Sequence, residues 1–310
     1  MLIWMVGAVA VAATVEVAVG EDWCGAINAA MPGDEVVLSA GSHDGPCTIW
    51  SDGTDTSPIT LRGADPDDPS WIVYEGSSSN VIDVYASHLT IASLGFGPTQ
   101  ANIDAFKVKE ADHLTISDCL FVEVGGISVG ATSTGSAYQN ITISGNTFTD
   151  LQATGIYLGC HSGESDCTAE GISITDNRFN GVTSSSVGYA IQIKLDSWGE
   201  VRDNVIADPQ GPGIMIYGDT SGDESLVEGN LVSGSRANAA IEVGGGPAVV
   251  RNNIVESGAT AGVYVYDYGG RDLLHGISVV ANTVVGSDGP AFYLSGWDAD
   301  EAMVFELNAA

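Results

Sequence analysis

Basic residues are scarce in this chain. Its 310 residues contain 9 lysines and arginines against 40 aspartates and glutamates, which gives a formal net charge of −31. Nucleic acids and anionic membrane surfaces would repel such a protein, so the charge argues against both as partners. Solubility is one interpretation of the acidity, and cation binding is the alternative.

Long apolar runs are also scarce, and one is present at the N-terminus. Residues 1–20 are apolar up to a small-residue site at 18–20, and Glu21 follows. This pattern predicts a signal peptide, although the positively charged start is missing. The run is short for a membrane span and contains Glu16. We expect a secreted protein, extracellular or periplasmic, with residues 1–20 removed and residues 21–310 forming a single domain.

Cysteine occurs only five times. Cys160 and Cys167 bracket the polar loop CHSGESDC, and export favours a disulfide between them. Cys24 and Cys47 are the second predicted pair, across the N-terminal segment. Cys119 is left over, and the repeat described next places it in the core as a buried free thiol.

Seven stretches share the pattern aliphatic-x-x-Asn-x-apolar, with Cys119 in place of asparagine in the first. They are ISDCLF, ISGNTF, ITDNRF, VRDNVI, VEGNLV, VRNNIV and VVANTV, with key positions 119, 146, 177, 204, 230, 253 and 282. This spacing is typical of a solenoid, and the two-residue alternation within each copy predicts strands. The asparagines are expected in the left-handed conformation at bends between strands, with their amides forming a ladder from coil to coil.

A second strand follows each copy, in GISV, GIYL, AIQI, GIMI, AIEV, GVYV and AFYL. Stacked coils lie about 4.8 Å apart, so outward residues should form columns on a flat sheet face. One predicted column contains Asp83, Lys107, Ser128, Tyr157, Gln192, Met215, Glu242, Tyr264 and Tyr293. The next contains Tyr85, Lys109, Gly130, Gly159, Lys194, Tyr217, Gly244, Tyr266 and Ser295.

All three lysines of the chain lie on these two columns. Tyrosine rings stack on the apolar faces of sugars while their hydroxyls bond sugar oxygens. We interpret the face as a carbohydrate-binding surface; the alternative is ordinary strand-surface tyrosine and lysine. The candidate substrate-binding residues are Lys107, Lys109, Tyr157, His161, Gln192, Glu242, Tyr264, Tyr266 and Tyr293.

The repeat, the asparagine ladder and the opening MPGDEVVLSAGSHDG…SPITLRGA resemble right-handed parallel β-helix proteins of the pectin-lyase-like superfamily. The opening most resembles polysaccharide lyase family six, the alginate lyases and chondroitinase B. The resemblance covers roughly residues 21–310 and implies an all-β right-handed parallel β-helix with a short N-terminal capping helix. It implies a polysaccharide partner, although this fold hosts lyases, hydrolases, epimerases and adhesins alike.

The resemblance also implies a candidate catalytic lysine. Family six uses a lysine at the outward end of the front strand as Brønsted base, and AIQIK places Lys194 there. The family's arginine on the next coil is replaced by Tyr217, and its calcium-binding glutamates have no counterpart beside Tyr189. Calcium therefore stays an open candidate cofactor, and no metal ligand is assigned.

β-Elimination from a uronate requires a base, neutralisation of the carboxylate and an acid for the leaving oxygen. Lys194 and Tyr217 are the candidate catalytic residues, one coil apart. Because Asp196 and Glu242 are expected nearby and would raise the lysine pKa, we expect Lys194 to clamp the carboxylate rather than act as base. Tyr217 is then an acid or, if deprotonated, a base. The loop closed by Cys160 and Cys167 should wall the site.

Other functions stay open at this point. A non-catalytic carbohydrate-binding or cell-surface β-helix needs only the tyrosine face. A glycoside hydrolase would pair Glu242 with Asp219, Asp196 or Asp267. The stretch GDTSGDES, with Asp219, Asp223 and Glu224, is either a calcium site or a solvated turn.

Two further expectations concern the histidines and the C-terminus. The histidines at 43, 88, 113, 161 and 275 show no ligand spacing. The last stretch, MVFELNAA, fits the repeat again with Asn308, so we expect a monomer whose next coils are missing from this sequence.

Overall fold

The computed structural model describes residues 12–184, 188–297 and 303–310. The chain coils repeatedly through three parallel sheets, one strand in each sheet per coil. The prediction of an all-β right-handed parallel β-helix is confirmed. Among the described residues, no helix is long and apolar enough to cross a membrane.

Sheet 1 has twelve strands. They are Thr14–Val17 (β1), Glu35–Leu38 (β2), Ile59–Gly63 (β5), Leu89–Ala92 (β8), Leu114–Ser117 (β11), Thr142–Ser144 (β15), Ile172–Thr175 (β19), Gly199–Arg202 (β22), Ser225–Glu228 (β25), Ala248–Arg251 (β28), Ile277–Val280 (β31) and Met303–Glu306 (β34).

Sheet 2 has ten strands. They are Gly41–Asp44 (β3), Ser70–Val73 (β6), Leu94–Phe96 (β9), Leu120–Val122 (β12), Thr147–Leu151 (β16), Arg178–Val182 (β20), Val205–Pro209 (β23), Leu231–Ser235 (β26), Ile254–Gly258 (β29) and Thr283–Val285 (β32).

Sheet 3, which carries the candidate site, has ten strands. They are Cys47–Ile49 (β4), Ile82–Val84 (β7), Phe106–Val108 (β10), Val129–Ala131 (β13), Ile156–Leu158 (β17), Ile191–Ile193 (β21), Ile214–Ile216 (β24), Ile241–Val243 (β27), Val263–Tyr266 (β30) and Phe292–Ser295 (β33). A small fourth sheet pairs Ala137–Gln139 (β14) with Thr168–Glu170 (β18), and a 3₁₀ helix spans Gly163–Ser165.

One α-helix, Trp23–Ala29 (α1), packs at the N-terminal end of the solenoid. It begins after Asp22, whose carboxylate accepts a hydrogen bond from the Gly25 amide at 2.8 Å, as an N-cap residue does. Trp23 and Ile27 are buried in the core. The predicted capping helix is therefore present, and the Cys24–Cys47 disulfide ties it to β4.

The asparagine ladder runs between sheets 1 and 2. Each asparagine before the last one, Asn308, donates its backbone N–H and its Nδ2 to the Oδ1 of the asparagine one coil on, at 2.9–3.0 Å. Each Nδ2 also donates to a carbonyl of the preceding coil. Buried polar groups are thereby satisfied along the whole stack. The members are Asn146, Asn177, Asn204, Asn230, Asn253, Asn282 and Asn308.

We expected the ladder asparagine to adopt the left-handed conformation at each bend. The residue before it does so instead. Asp176 has a φ of 57°, Asp203 of 55° and Ala281 of 56°. The asparagine can then keep its backbone extended into the next strand and direct its amide along the ladder. The bend therefore selects aspartate, asparagine or glycine one position earlier in most copies.

Both predicted disulfides are present, Cys24–Cys47 and Cys160–Cys167. Cys119 is a buried free cysteine at the first ladder position, where its backbone N–H donates to Asn146 Oδ1. Burial raises the pKa of its thiol to about 12, so it is an unreactive core residue. A stack of phenylalanines fills the core beside it, with ring centroids 4.4–5.3 Å apart, at Phe96, Phe121, Phe148 and Phe179.

The predicted columns hold with one shift of register. Lys107 pairs with Gly130, and Gly130 pairs with Tyr157. Ser128 therefore does not belong to the first column, and Gly130 moves there from the second. The register shifts by two residues, so the same alternate side chains still point into the core.

Strand β1 lies within the segment predicted as a signal peptide. Thr14–Val17 pairs in parallel with β2, and Val17 is buried. Cleavage after residue 20 would remove this strand and leave β2 at the edge of sheet 1. Residues 1–11 lie outside the described part of the chain, and the cleavage itself stays a prediction.

Candidate functional site

Lys194 follows β21 on the outer face of sheet 3, as the column pattern predicts. Its side chain is nevertheless buried, with only 1% of its surface exposed. The amine donates to Gln192 Oε1 at 2.9 Å and lies 3.1 Å from His161 Nε2. A lysine that is enclosed on the outside of a sheet must be covered by other parts of the chain.

Two tyrosine rings enclose the amine from opposite neighbouring coils. Lys194 Nζ lies 4.4 Å from the centre of the Tyr157 ring and 4.0 Å from that of the Tyr217 ring. Tyr157 pairs with Gln192 on β21, and Tyr217 follows β24 on the next coil. The stacking of coils therefore places one aromatic face on each side of the lysine.

The loop closed by Cys160 and Cys167 forms one wall, as predicted. The backbones of Cys160 and Leu195 form an isolated antiparallel β-bridge, and the Glu164 backbone amide donates to Asp196 Oδ2 at 3.0 Å. These contacts bring His161 over the lysine. Gly159, which precedes the disulfide, has a φ of +87°, and a side chain there would collide with Ser197.

The second wall is the loop of residues 267–275, which folds back over β24 and β27. Leu273 packs with Leu195, Met215 and Tyr217 in a small apolar cluster outside the main core. Gly244 permits this approach, because a Cβ there would lie 2.6 Å from the Cβ of Tyr268. Met215, Gln192 and Glu242, predicted as outward column residues, are consequently buried.

Arg271 joins the two walls. Its Nη2 donates to the backbone carbonyl of His161 at 3.0 Å, and its guanidinium lies 5.2 Å from the Tyr268 ring centre. Asp267 holds the loop in place by accepting the backbone N–H of Arg271. Among the described residues, no hydrogen-bond acceptor meets the buried Nη1 of Arg271. The site therefore contains one buried guanidinium nitrogen whose N–H groups meet no acceptor in the described part of the chain.

The electrostatics at Lys194 differ from our expectation. Burial and, second, the charge of Arg271 lower the pKa of Lys194 to about 7. Asp196 does not oppose this, because its carboxylate accepts hydrogen bonds from Glu164 and Thr220 in the flanking loops. The prediction that acidic neighbours raise this pKa is wrong, and a fraction of the amine is neutral near pH 7.

His161 shares the same environment. Its pKa is lowered by burial, by Lys194 and by Arg271, so the imidazole is neutral at neutral pH. The ring packs edge-on against Tyr157 and Tyr217. The prediction that this histidine lies at the site agrees with its position.

The tyrosine hydroxyls stay protonated. Burial raises the pKa of Tyr157 to about 12 and that of Tyr217 further still. Tyr217 is 1% exposed, and its hydroxyl donates to Gln192 Oε1 at 3.4 Å. Tyr157 is only half-buried. Neither phenol is a base at neutral pH, and Tyr157 is the more accessible proton donor.

A second part of the face, further along the solenoid, is an open cleft of about 430 Å³ lined by Tyr264, Tyr266, Tyr293 and Glu242. The Tyr264 ring is stacked between the other two tyrosines, with centroids 4.3 and 4.9 Å away. Glu242 accepts the Tyr266 hydroxyl at 3.1 Å, and burial raises its pKa. The cleft presents a flat aromatic surface.

Lys107 and Lys109 are not brought to this site. They lie three coils before Lys194, with Lys107 in the middle of β10 and Lys109 directly after it. Lys107 lies 3.8 Å from the Asp104 carboxylate, and Lys109 lies 3.9 Å from that of Asp83. These lysines form a separate charged patch on the same face.

The acidic turn in GDTSGDES is bonded within itself. Asp219 is buried and accepts hydrogen bonds from the backbone and hydroxyl of Ser221, whose hydroxyl also reaches Asp223. Asp267 and Asp196 are likewise occupied by backbone N–H groups of their loops. These contacts favour a structural turn, and they leave Glu242 without a free carboxylate partner.

Arg271, Tyr268 and Tyr189 also belong to the site and were not predicted from the sequence. Tyr189 and Tyr268 both hydrogen-bond the Tyr217 hydroxyl. All three lie in irregular segments, where the repeat pattern gives no position. One signal was available, since Arg271 follows the tyrosine-rich stretch VYVYDYGG in a chain with only nine basic residues.

Two family models match this sequence. That of the periplasmic copper-binding protein (NosD) family matches residues 27–224, and that of the right handed beta helix region matches residues 165–306. The first covers more than half of the chain, so the chain belongs to the NosD family. This family and the two disulfides indicate a location outside the cytoplasm. No curated protein matches the sequence.

Several solved structures share the fold. An alginate lyase from Paenibacillus sp. str. FPU-7 has a TM-score of 0.56 and 16% identity over 93% of this chain and 99% of its own. The PL6 family alginate lyase AlyGC gives 0.54 and 15%, over 93% of this chain but 41% of its own. Pectate lyase Pel9A gives 0.53 and 13%, over 98% and 79%. These similarities show that the chain shares the β-helix fold of these enzymes.

Proposed function

We propose that this chain is an exported lyase that cleaves a uronate-containing polysaccharide by β-elimination. The observation that carries the proposal is the enclosed Lys194 amine, whose pKa is lowered to about 7. A lysine acts as a general base only when part of it is neutral at the working pH. The structural neighbours that are alginate and pectate lyases support the choice of substrate class.

Because the Lys194 amine is only 1% exposed, the proposal requires the loops of residues 160–167 and 267–275 to part and admit the substrate. Lys194 then takes the proton from C5 of the uronate, next to the carboxylate. The electrons of that C–H bond form the C4–C5 double bond, and the bond from C4 to the glycosidic oxygen breaks. The leaving oxygen takes a proton from a tyrosine hydroxyl. The products are a new sugar hydroxyl and an unsaturated uronate, and the reaction requires no oxidant or water.

We assign proton donation to Tyr157 and a positioning role to Tyr217. The donor must contact the glycosidic oxygen; Tyr157 is half-buried, whereas the Tyr217 hydroxyl is directed to Gln192 Oε1, 3.4 Å away. Tyr217 hydrogen-bonds Gln192, which in turn accepts from Lys194. Loss of Tyr217 therefore acts through the position of the amine.

Arg271 supplies the charge that neutralises the substrate carboxylate, and the neutral His161 imidazole can donate a hydrogen bond beside it. Arg271 presents the Nη1 group that lacks an acceptor among the described residues, and charge-assisted bonds from arginine to carboxylate are strong. A carboxylate bound there acidifies the C5 proton. The charge of Arg271 also offsets part of the repulsion that a chain of net charge −31 exerts on a uronate polymer.

A non-catalytic carbohydrate-binding protein is the second candidate. The stacked tyrosines around the 430 Å³ cleft favour it, because aromatic surfaces bind sugar rings without any acid or base. In the lyase, the same cleft would hold sugar units beyond the cleavage point. An assay of product formation therefore distinguishes the two functions, whereas an assay of binding does not.

The test follows the ultraviolet absorbance of the unsaturated uronate during incubation with alginate, pectate, chondroitin or heparin-type chains, with added calcium or with chelator. We expect one of these polymers to yield product with the wild-type protein. Lys194→Met should lower the rate at least about 100-fold, the usual scale for a lost general base. Arg271→Gln should raise KM and lower kcat.

Arg236→Gln is the matched control, because this arginine pairs with Asp208 and lies away from the site. It should retain the wild-type rate. Product formation that survives in Lys194→Met would overturn the assignment of the base. Binding to a polymer by the wild-type protein without any product would establish the second candidate instead.

A further inference from the structure

An exposed pair of aromatic rings lies at the N-terminal end of sheet 3. Trp50 follows β4 and Tyr85 follows β7, and their rings stack with centroids 4.0 Å apart and planes inclined by 14°. Ile49 and Val84, one position earlier, are buried in the core, so the two rings point outward. Trp50 exposes 59% of its surface, which is a large apolar area to leave in water.

The backbone beneath this pair is held by helix α1. The Trp50 backbone N–H donates to Asn28 Oδ1 at 2.9 Å, and Asn28 Nδ2 donates to the Thr48 carbonyl at 2.8 Å. The Tyr85 backbone N–H donates to the Ile49 carbonyl at 2.9 Å, so the sheet ladder continues past both strands. A rigid aromatic surface binds a ligand with little loss of conformational freedom.

Lys109 is the next member of the same column, one coil after Tyr85 by the pairing of β7 with β10. Its side chain is 27% exposed. In the described part of the chain, the one carboxylate within 4 Å of its amine is that of Asp83, at 3.9 Å. This distance exceeds that of a hydrogen bond, and Asp83 Oδ1 accepts Asn80 Nδ2 instead, at 2.8 Å. The Lys109 amine is therefore available to an anionic ligand.

Lys107, in the adjacent column, is less available. Its amine donates to the Thr132 hydroxyl and lies 3.8 Å from the Asp104 carboxylate. Together the two lysines balance the charges of Asp83 and Asp104, in a chain whose net charge is −31. An anionic ligand therefore meets less repulsion at this end of sheet 3 than over the acidic surface as a whole.

We propose that Trp50, Tyr85 and Lys109 form a second glycan-binding site, which holds a uronate-containing oligosaccharide away from the centre around Lys194. For the class of ligand, this inference rests on the proposed function. β4 is the edge strand of sheet 3, so no further coil of the described chain covers the face of the Trp50 ring opposite Tyr85. A sugar ring stacks on that face through its apolar side.

The amine and the indole contact different units of the bound glycan. Lys109 lies two coils from Trp50, about 10 Å along the column. A glycan that stacks on the indole passes the Tyr85 ring before one of its carboxylates reaches the amine. Charge-assisted hydrogen bonds from the ammonium then select an acidic glycan over a neutral one.

The site is separate from the other parts of the same face. Lys194 lies three coils beyond Lys109, about 14 Å along the column. Tyr266, in the tyrosine cleft, lies eight coils beyond Trp50, about 38 Å away. A trisaccharide therefore occupies this site or the cleft but does not join them, whereas a long polymer parallel to the solenoid can contact both.

The test uses the fluorescence of Trp50, which reports binding at this site alone. The full-length Lys194→Met protein is titrated with mannuronate, guluronate and galacturonate trimers, and with cellotriose as the neutral comparison. We expect at least one uronate trimer to change the tryptophan emission and Trp50→Phe to abolish the change. Trp71→Phe, on the outer face of β6 in sheet 2, is the matched control and should retain it.

Two further variants measure the contributions of the other residues to affinity. Tyr85→Ala should weaken binding of the uronate trimer at least about fivefold, because half of the aromatic pair is lost. Lys109→Gln should weaken it about threefold or more, the scale of a partly exposed ion pair, and leave cellotriose binding unchanged. Circular dichroism melting curves verify that the variants are folded.

Three results would overturn the proposal. The trimers could leave the emission unchanged, the response could persist in the folded Trp50→Phe variant, or cellotriose could bind as tightly as the uronate trimers. Failure of the proposed lyase gives a different result, since the response of Trp50 would remain while the wild-type protein forms no unsaturated product. Product formation without any response of Trp50 would reject this second site alone.

Discussion

The Lys194 amine lies 4.0 Å from the centre of the Tyr217 ring, on the adjoining coil of the β-helix. The negative face of an aromatic ring favours a charged amine. Burial of the amine and the charge of Arg271 oppose this, and together they lower the pKa of Lys194 to about 7. A fraction of the amine is therefore neutral near pH 7, while the amine stays packed against the Tyr217 ring.

The first prediction concerns the pH dependence of the proposed reaction. Because the base must be neutral, kcat/KM should rise about tenfold per pH unit below pH 7 and flatten above it. Arg271→Gln removes a nearby positive charge, so its inflection should move to higher pH. Initial rates of unsaturated uronate formation measure both curves. A wild-type profile that is flat from pH 5 to 9 would contradict the role of Lys194.

The same pKa predicts a stability effect that needs no substrate. The unfolded lysine keeps its ordinary pKa of 10.5, so between about pH 7 and 10.5 the unfolded state binds more protons than the folded state. The free energy of unfolding should therefore rise with pH in this window through Lys194. Urea denaturation of wild type and Lys194→Met at pH 7 and pH 10 measures it. Equal pH dependence in the two proteins would contradict the lowered pKa.

Substitution of the two tyrosines beside Lys194 should separate their roles. Tyr157→Phe should lower kcat about 100-fold or more, the scale of a lost general acid, and leave KM nearly unchanged. Tyr217→Phe should lower kcat less and shift the pH inflection, because it releases Gln192 and through it the amine. Tyr74→Phe, which removes a hydroxyl 3.3 Å from Ser78 Oγ, is the control. A larger kcat loss in Tyr217→Phe would reverse the two assignments.

Much of this structure was predictable because it is periodic. The spacing of Asn146, Asn177 and Asn204 identifies the coils, and strand alternation then assigns Lys194 to the outer face. The register slip at Gly130 escaped prediction, since both alignments of GISVGA place apolar side chains inward. Arg271 escaped for a different reason. Its loop has no counterpart in other coils, and only tertiary packing carries it back to His161.

The lysine pKa shows the same limit in energetic terms. From the sequence, Asp196 and Glu242 are near neighbours whose charges would raise it. The structure directs the Asp196 carboxylate into flanking loops, where it caps backbone N–H groups, and burial then decides the sign. Proximity along a column therefore does not determine which way a side chain is oriented.

The bends of the ladder allow a prediction about stability. Ala281 precedes Asn282 with a φ of 56°, a conformation that costs an alanine roughly 1 kcal/mol and a glycine little. Ala281→Gly should therefore leave the free energy of unfolding unchanged or raise it by up to about 1 kcal/mol, against the usual loss for a glycine substitution. Urea denaturation compares it with Ala291→Gly, at a position without a positive φ, which should destabilise. Similar destabilisation by both would contradict the strain at Ala281.

The last prediction addresses the tyrosine cleft, because it distinguishes subsites from the reaction centre. Tyr264 is stacked between Tyr266 and Tyr293, so loss of its ring leaves a gap in the middle of the aromatic surface. Tyr264→Ala should weaken binding of oligosaccharides by about 1–3 kcal/mol, the range for a lost aromatic stacking contact. In the lyase it should raise KM for long chains while kcat on the shortest cleaved substrate stays near the wild-type value. Calorimetry with the inactive Lys194→Met protein measures binding free of turnover. Unchanged affinity in Tyr264→Ala would mean that sugar units do not occupy this cleft, and the Lys194 centre would then have to bind its substrate through Tyr157, His161 and Arg271 alone.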